Sequence, residues 1–170
     1  HKWLLSPQTT GILYLSDALL ERLKPARRSW QSVETPFDFF NYSQQSKKGA
    51  SRLEHSTPNR MPIVALDASL GMFESIDGGM QAVETRILGL TAHAIVGLER
   101  LGYAVVSPQG AGERSGIVSF LPHASRPEMT PQRLVDELAA RHIYAAARGA
   151  VTRISPHFYN TIEDIDMLLN

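Results

Sequence analysis

The sequence contains no cysteine. That removes disulfides, thiolate metal sites and a cysteine nucleophile together, and it fits a reducing, cytoplasmic setting. Charge of one sign is not in surplus either: 17 Lys and Arg stand against 17 Asp and Glu. No basic field therefore points to nucleic acid or to an anionic membrane surface. No apolar run approaches the roughly 20 residues of a membrane span, and His1-Lys2-Trp3-Leu4-Leu5 is too short for a signal peptide. The histidines never form the His-x-x-x-His pair of a helical zinc site, so no metal is expected. Gly-x-Ser-x-Gly is missing, which removes the main cue for a serine hydrolase. Gly110-Ala111-Gly112 matches neither the Walker nor the dinucleotide spacing and reads as a hairpin loop. No methionine opens the chain, which suggests an excised or incomplete product.

What is present suits a folded domain. The 170 residues are 43% hydrophobic and 20% charged, enough to bury a core without metal or disulfide help. Gly11 to Leu15 reads as a buried strand, followed by a short helix that Ser16 caps and Pro25 ends. Residues 26 to 60 keep no period but hold Trp30, Phe37, Phe39, Phe40 and Tyr42. A loop this long is either pinned to its own domain or functional. A helix follows from about Pro62 to Ile76. Met80, Val83, Ile87, Leu90, Ala94, Leu98 and Leu101 then mark a long amphipathic helix that Gly102 stops. Strands are expected at 103–107, 115–121, 143–147 and 151–155. Thr130 and Thr161 cap two further helices. The order from residue 80 onward predicts helices on one face of a small, mostly antiparallel sheet.

One residue stands out chemically. Arg153 lies inside an apolar strand, ahead of the aromatic loop Pro156-His157-Phe158-Tyr159. A guanidinium taken from water needs an anion, and its planar fork matches a carboxylate with two parallel hydrogen bonds. An internal salt bridge and a ligand carboxylate both meet that need.

Three segments carry a family resemblance. His1-Lys2-Trp3-Leu4-Leu5-Ser6-Pro7, with the run Thr10 to Leu15, resembles the His-Lys segment and following strand of class-V aminotransferases and cysteine desulfurases. Ser51 to Asn59 resembles that family's Arg-Phe-Glu-x-Gly-Thr-Pro-Asn. Arg153 to Thr161 is similar to its Arg-x-Ser-x-x-x-Tyr-Asn-Thr. The order and separation of the three make the combination specific, and the long loop looks most like the isopenicillin-N-epimerase-like branch.

The resemblance implies an α/β, fold-type I enzyme dependent on pyridoxal 5'-phosphate (PLP). The chain would hold the end of the large α/β domain at 1–25, an active-site and interface loop at 26–60, linking helices at 61–101 and a small α+β domain at 102–170. It implies Lys2 as the Schiff-base lysine with His1 beside the cofactor. Thr57 is implied at the phosphate of a partner subunit, with Ser56 where the family has glycine. Arg153 is implied on the substrate carboxylate, with Arg148 as a second pocket arginine. The active site would be shared in a homodimer. The substrate would be a small amino acid or amine, and the reaction that of a class-V aminotransferase. Epimerisation, C–S cleavage or an inactive dimerisation module are the alternatives. Related desulfurases carry their catalytic cysteine on a loop between the positions of Arg148 and Arg153. Only Gly149-Ala150-Val151-Thr152 stands there, so persulfide chemistry of that kind is not expected. The acid that pairs with the pyridinium nitrogen and the ring-stacking aromatic belong to the large domain ahead of the lysine, so the fragment alone is expected to be inactive.

Overall fold

The computed structural model describes residues 1 to 170. They pack as two compact units, His1–Met72 and Phe73–Asn170.

The second unit is built on helix α3, Gly79–Arg100. Its buried residues Val83, Ile87, Leu90, Ala94 and Leu98 follow the expected steps of three and four. The helix stops because Gly102 takes a left-handed φ of 84°. Tyr103 N–H then reaches Leu98 O and Gly102 N–H reaches Glu99 O, each at 3.0 Å. This pair of bonds satisfies carbonyls that the helix end would otherwise leave free.

Three short strands follow: β1, Val118–Phe120; β2, Ala146–Arg148; and β3, Val151–Ile154. They form an antiparallel sheet in the order β1-β3-β2. Strand alternation sends Val118, Phe120, Thr152 and Ile154 to the buried face. There they meet Leu90, Ala94 and Leu98 of α3 and Ile165 of helix α5, Ile162–Leu169. Leu134 of helix α4, Pro131–Ala140, packs against the same cluster. Thr130 and Thr161 cap α4 and α5, as their sequence positions require.

Two strands differ from expectation. Residues 103–107 form no strand of their own, only an isolated bridge from Val105 to Phe120. The ladder stops because Ser119 N–H donates to Ser107 Oγ at 2.8 Å instead of to a backbone carbonyl. β2 begins at Ala146 because residues 142 and 143 close α4. His142 takes φ 62°, and Ile143 N–H bonds Leu138 O at 2.9 Å.

In the first unit, helix α1 is Asp17–Arg22 with Ser16 as its cap. It buries no residue of its own. Arg52 holds its end, donating to Leu20 O and, at 2.9 Å, to Leu23 O. The expected strand at 11–15 is not formed: Ile12, Leu13 and Tyr14 are exposed. A single strand has no use for its N–H and C=O groups without a neighbour, and every strand of this chain lies at residues 118–154. Residues 26–60 are ordered by two 3-10 turns, Trp30–Ser32 and Ala50–Leu53, and by a bridge from Val33 to Ser46. Trp30 meets Phe37 and Phe39 at tilted angles, and Phe37 meets Phe39 edge to face, with centroids 5.7 to 6.3 Å apart. The loop is thus pinned by its own aromatics. Helix α2, Arg60–Glu74, then follows, with Pro62 in its first turn, where a missing N–H costs nothing.

Candidate functional site

His1 and Lys2 sit in a tight turn. Ser6 N–H donates to His1 O at 3.0 Å, Leu5 N–H donates to Lys2 O at 3.4 Å, and Leu5 itself takes φ 50°. Both side chains are exposed. Two bonds fasten the segment behind them. Ser69 Oγ, in α2, donates to Leu4 O. Asn59 Nδ2 lies 3.4 Å from Thr9 Oγ1. Ser69 and Asn59 therefore position the lysine turn. Nothing in the sequence marks Ser69 for that task beyond its place on the apolar side of a helix.

Ser56 and Thr57 lie just ahead of α2. Ser56 adopts φ 61°, the left-handed conformation that favours glycine. Both residues are exposed, and no hydrogen bond engages either one. The lysine turn is thus tied to α2 at Ser69, well inside the helix, while Thr9 and the Ser56-Thr57 segment lie at the helix start. No hydrogen bond joins Lys2 to Thr57.

The two arginines lie in the second unit, on the sheet face away from the core. Register pairs Arg153 with Ser119 on one side and Ala146 on the other, and pairs Arg148 with Val151. Paired residues share a face, as do residues two apart on a strand. Arg148 and Arg153 are therefore diagonal neighbours on one face, within reach of each other's long side chains. Gly149-Ala150 closes the hairpin as a two-residue turn, with φ 57° at Gly149. Such turns require positive φ at the first central residue. No loop stands between Arg148 and Arg153 on which a cysteine could be carried.

Arg153 forms no internal salt bridge. The ion pairs of the chain are His93 with Asp166 and Arg126 with Glu128. Its Nε is buried without a hydrogen-bond partner, while Arg148 is exposed and donates only to Ala147 O, at 3.1 Å. Within the chain, no carboxylate pairs with Arg153. Ser119 and Ala146 flank the arginine across the register. They were not singled out from sequence, since only the strand pairing brings them there.

Tyr159-Asn160-Thr161 serves structure. Thr161 Oγ1 accepts from Asp164 N–H, while the Asp164 carboxylate accepts from Thr161 N–H at 2.9 Å and from Asn160 Nδ2 at 3.2 Å. The Thr161 backbone bond, then the Asn160 amide, hold the Asp164 carboxyl below its ordinary pKa. Thr161 is a helix cap.

A protein-family model described as Aminotransferase class-V matches residues 1–168. The chain is 31% identical to isopenicillin N epimerase of Streptomyces clavuligerus, over 99% of this chain and 44% of that protein. It is 28% identical to an uncharacterized aminotransferase of Bacillus subtilis, over 97% of this chain and 41% of that protein. It is 29% identical to a probable cysteine desulfurase of Mycobacterium leprae, over 99% and 41%. Among solved structures, the apo cysteine desulfurase of Thermococcus onnurineus NA1 superposes with a TM-score of 0.83 at 21% identity, over 98% of this chain and 42% of that one. A cystine C-S lyase in complex with cysteine persulfide superposes at 0.84 and 22% identity, over 99% and 43%. At those identities the structural likeness is one of fold. The chain spans about two fifths of the length of these relatives.

Proposed function

Because the chain belongs to the aminotransferase class-V family, we propose that it is the carboxy-terminal portion of a PLP-dependent transferase acting on a small amino acid or amine. The observation that carries this reading is Arg153, whose Nε is buried without a hydrogen-bond partner and which no carboxylate of the chain pairs. A substrate carboxylate is the anion that this family's chemistry supplies.

The residues present suit the cofactor. Lys2 offers an exposed amine on a turn fastened by Ser69 and Asn59. Ser56 reaches the left-handed backbone that a glycine would take, so replacing glycine does not forbid the turn. Thr57 next to it has a free hydroxyl and a free N–H for a phosphate.

PLP, when bound, supplies an electron sink for negative charge at the substrate Cα. Lys2 would hold the cofactor through Nζ, and its amine would carry a proton to and from the substrate Cα. His1, next to Lys2 in the same exposed turn, would lie beside the cofactor. Thr57 and Ser56 bind the phosphate of a second copy of the protein, so the working form is a homodimer with a shared site. Arg153 orients the substrate by its α-carboxylate, and Arg148 lies on the same face to assist. The two-residue turn at Gly149-Ala150 and the absence of cysteine argue against desulfuration through an enzyme persulfide. Transamination is the first reading. The likeness to isopenicillin N epimerase keeps epimerisation as the second.

The test is borohydride reduction of the longer parent protein in PLP, with the modified lysine mapped by mass spectrometry. Lys2 should be labelled, and Lys24, Lys47 and Lys48 should not. A folded parent labelled elsewhere, or nowhere, would overturn the assignment.

A further inference from the structure

We infer that Ser69 is a positioning residue that makes the lysine turn and the Ser56-Thr57 segment one strained body, so that the two sites of the homodimer take up PLP cooperatively. This coupling rests on the proposed roles of Lys2 and Thr57 and adds a link between them that neither role requires.

The residues other than glycine with a positive φ are Leu5, Thr9, Ser56 and His142. All but His142 fall in the two segments proposed to meet the cofactor. A residue with a Cβ adopts that backbone at a cost and keeps it only where its surroundings impose it. His142 has an ordinary cause, since it follows the end of α4. Leu5, Thr9 and Ser56 end no α-helix.

What imposes the lysine turn lies on and beside α2. Ser69 is only 8% exposed, and its Oγ donates to Leu4 O, the carbonyl just before Leu5. A serine within a helix commonly points to solvent or bonds back onto its own helix. This one reaches a loop 65 residues earlier in the chain. The second tie, from Asn59 Nδ2, ends on Thr9 itself, at 3.4 Å. Each tie therefore sits on or next to a left-handed residue. Thr10 beside them buries an Oγ that has no hydrogen-bond partner, so the segment does not satisfy itself and is held from outside.

The same helix carries the phosphate segment. Ser56 and Thr57 stand just ahead of Arg60, its first residue, and α2 runs unbroken from there past Ser69. Nine helical residues at 1.5 Å each set Ser69 about 14 Å from that start. A shift at Ser56-Thr57 is thus carried along α2 to Leu4 O. The Lys2 turn, closed by Leu5 N–H donating to Lys2 O, follows it. In the homodimer each copy lends Thr57 to the phosphate of the other. Cofactor in the first site fixes α2 of the copy that lends Thr57, and with it that copy's own Lys2 turn. The second site is then ordered before it is filled and binds more tightly.

The test is PLP titration of the longer parent protein, prepared free of cofactor and held at a concentration where it is dimeric. Binding is followed by the visible absorbance of the lysine-bound cofactor, and the folding and dimerisation of each variant are checked by circular dichroism and sedimentation. The parent should give a Hill coefficient of about 1.5, under the ceiling of about 2 that two sites set. Ser69→Ala should bring it to about 1 and weaken binding severalfold, with Lys2 still the lysine labelled on borohydride reduction. Asn59→Ala, at an exposed position that the fold tolerates, should lower the coefficient in the same direction and decides the matter if Ser69→Ala does not fold. A coefficient of about 1 or below in the dimeric parent overturns the coupling. So does one that folded Ser69→Ala leaves unchanged or, failing that variant, one that Asn59→Ala leaves unchanged. Both outcomes leave the roles of Lys2 and Thr57 standing, provided that Lys2 is labelled and Thr57→Val weakens PLP binding. If Lys2 takes no label, or Thr57→Val binds PLP as the parent does, the reading beneath fails as well.

Discussion

Ser56 is where local strain and the proposed function meet. Its φ of 61° is a conformation that costs an L-residue with a Cβ about 1–2 kcal/mol. Glycine removes that cost but gives back about 0.4–1 kcal/mol through a freer unfolded chain. Ser56→Gly should therefore stabilise slightly, by about 0.5 kcal/mol, and Ser56→Val should destabilise by more than 1 kcal/mol, about the value expected of a β-branched residue at positive φ. Urea unfolding of the three proteins checks the order, and a valine variant as stable as glycine would mean that Ser56 is not held left-handed. Much at this scale was legible in sequence. The His-Lys pair, the Ser-Thr-Pro-Asn run and Arg153 could all be named from the chain alone. Ser69 and Ser119 could not, because one works through a bond to a backbone carbonyl 65 residues away and the other through strand register.

Elements whose signals are local were legible, and those that depend on pairing were not. Helices α3, α4 and α5 follow from period and capping residues, all within a few positions of each other. The run 11–15 has the composition of a strand, yet a strand is made by its neighbours, and no pairing edge reaches it. Residues 103–107 lose their ladder to one serine hydroxyl. The capping of α5 allows a pH prediction. Asp164 has its pKa lowered in the folded chain, chiefly by the Thr161 N–H, so above the pKa of the unfolded chain its carboxylate contributes fully to stability. As pH falls through the ordinary carboxylate range and then the lower folded value, the unfolded state takes up more protons and that contribution is lost. Amide exchange or unfolding of α5 followed from pH 7 downward should show this loss in the parent chain and little of it in Asp164→Asn. Identical pH profiles would mean that the cap does not act through its charge.

At the scale of the whole molecule, the two units differ in how much core each has. Of the buried apolar residues, Val33 and Leu66 belong to His1–Met72, whereas Leu90, Ala94, Leu98, Val118, Phe120, Ile154 and Ile165 form one continuous cluster in Phe73–Asn170. The first unit also leaves Tyr14, Phe40 and Tyr42 more than four-fifths exposed. Three aromatics so exposed in the first unit, against Tyr144 alone in the second, mark a surface built to be covered, in keeping with the proposed subunit contacts. Stability should follow the core: segments with few buried apolar contacts open at lower free energy and are cut first when opening is fast. Brief trypsin treatment of the chain should cleave at Lys24, Arg27, Lys47 and Lys48 and leave a resistant piece that starts near Arg60 and retains the carboxy terminus. A homodimer that covers the loop at 26–60 should slow those same cuts as protein concentration rises, while cleavage within Phe73–Asn170 stays unchanged. If the two units were digested at equal rates, the stability difference would be wrong. If the early cuts ignored concentration over the range in which the dimer forms, the loop would lie outside the subunit contact, and Thr57 would have to serve the phosphate of its own chain.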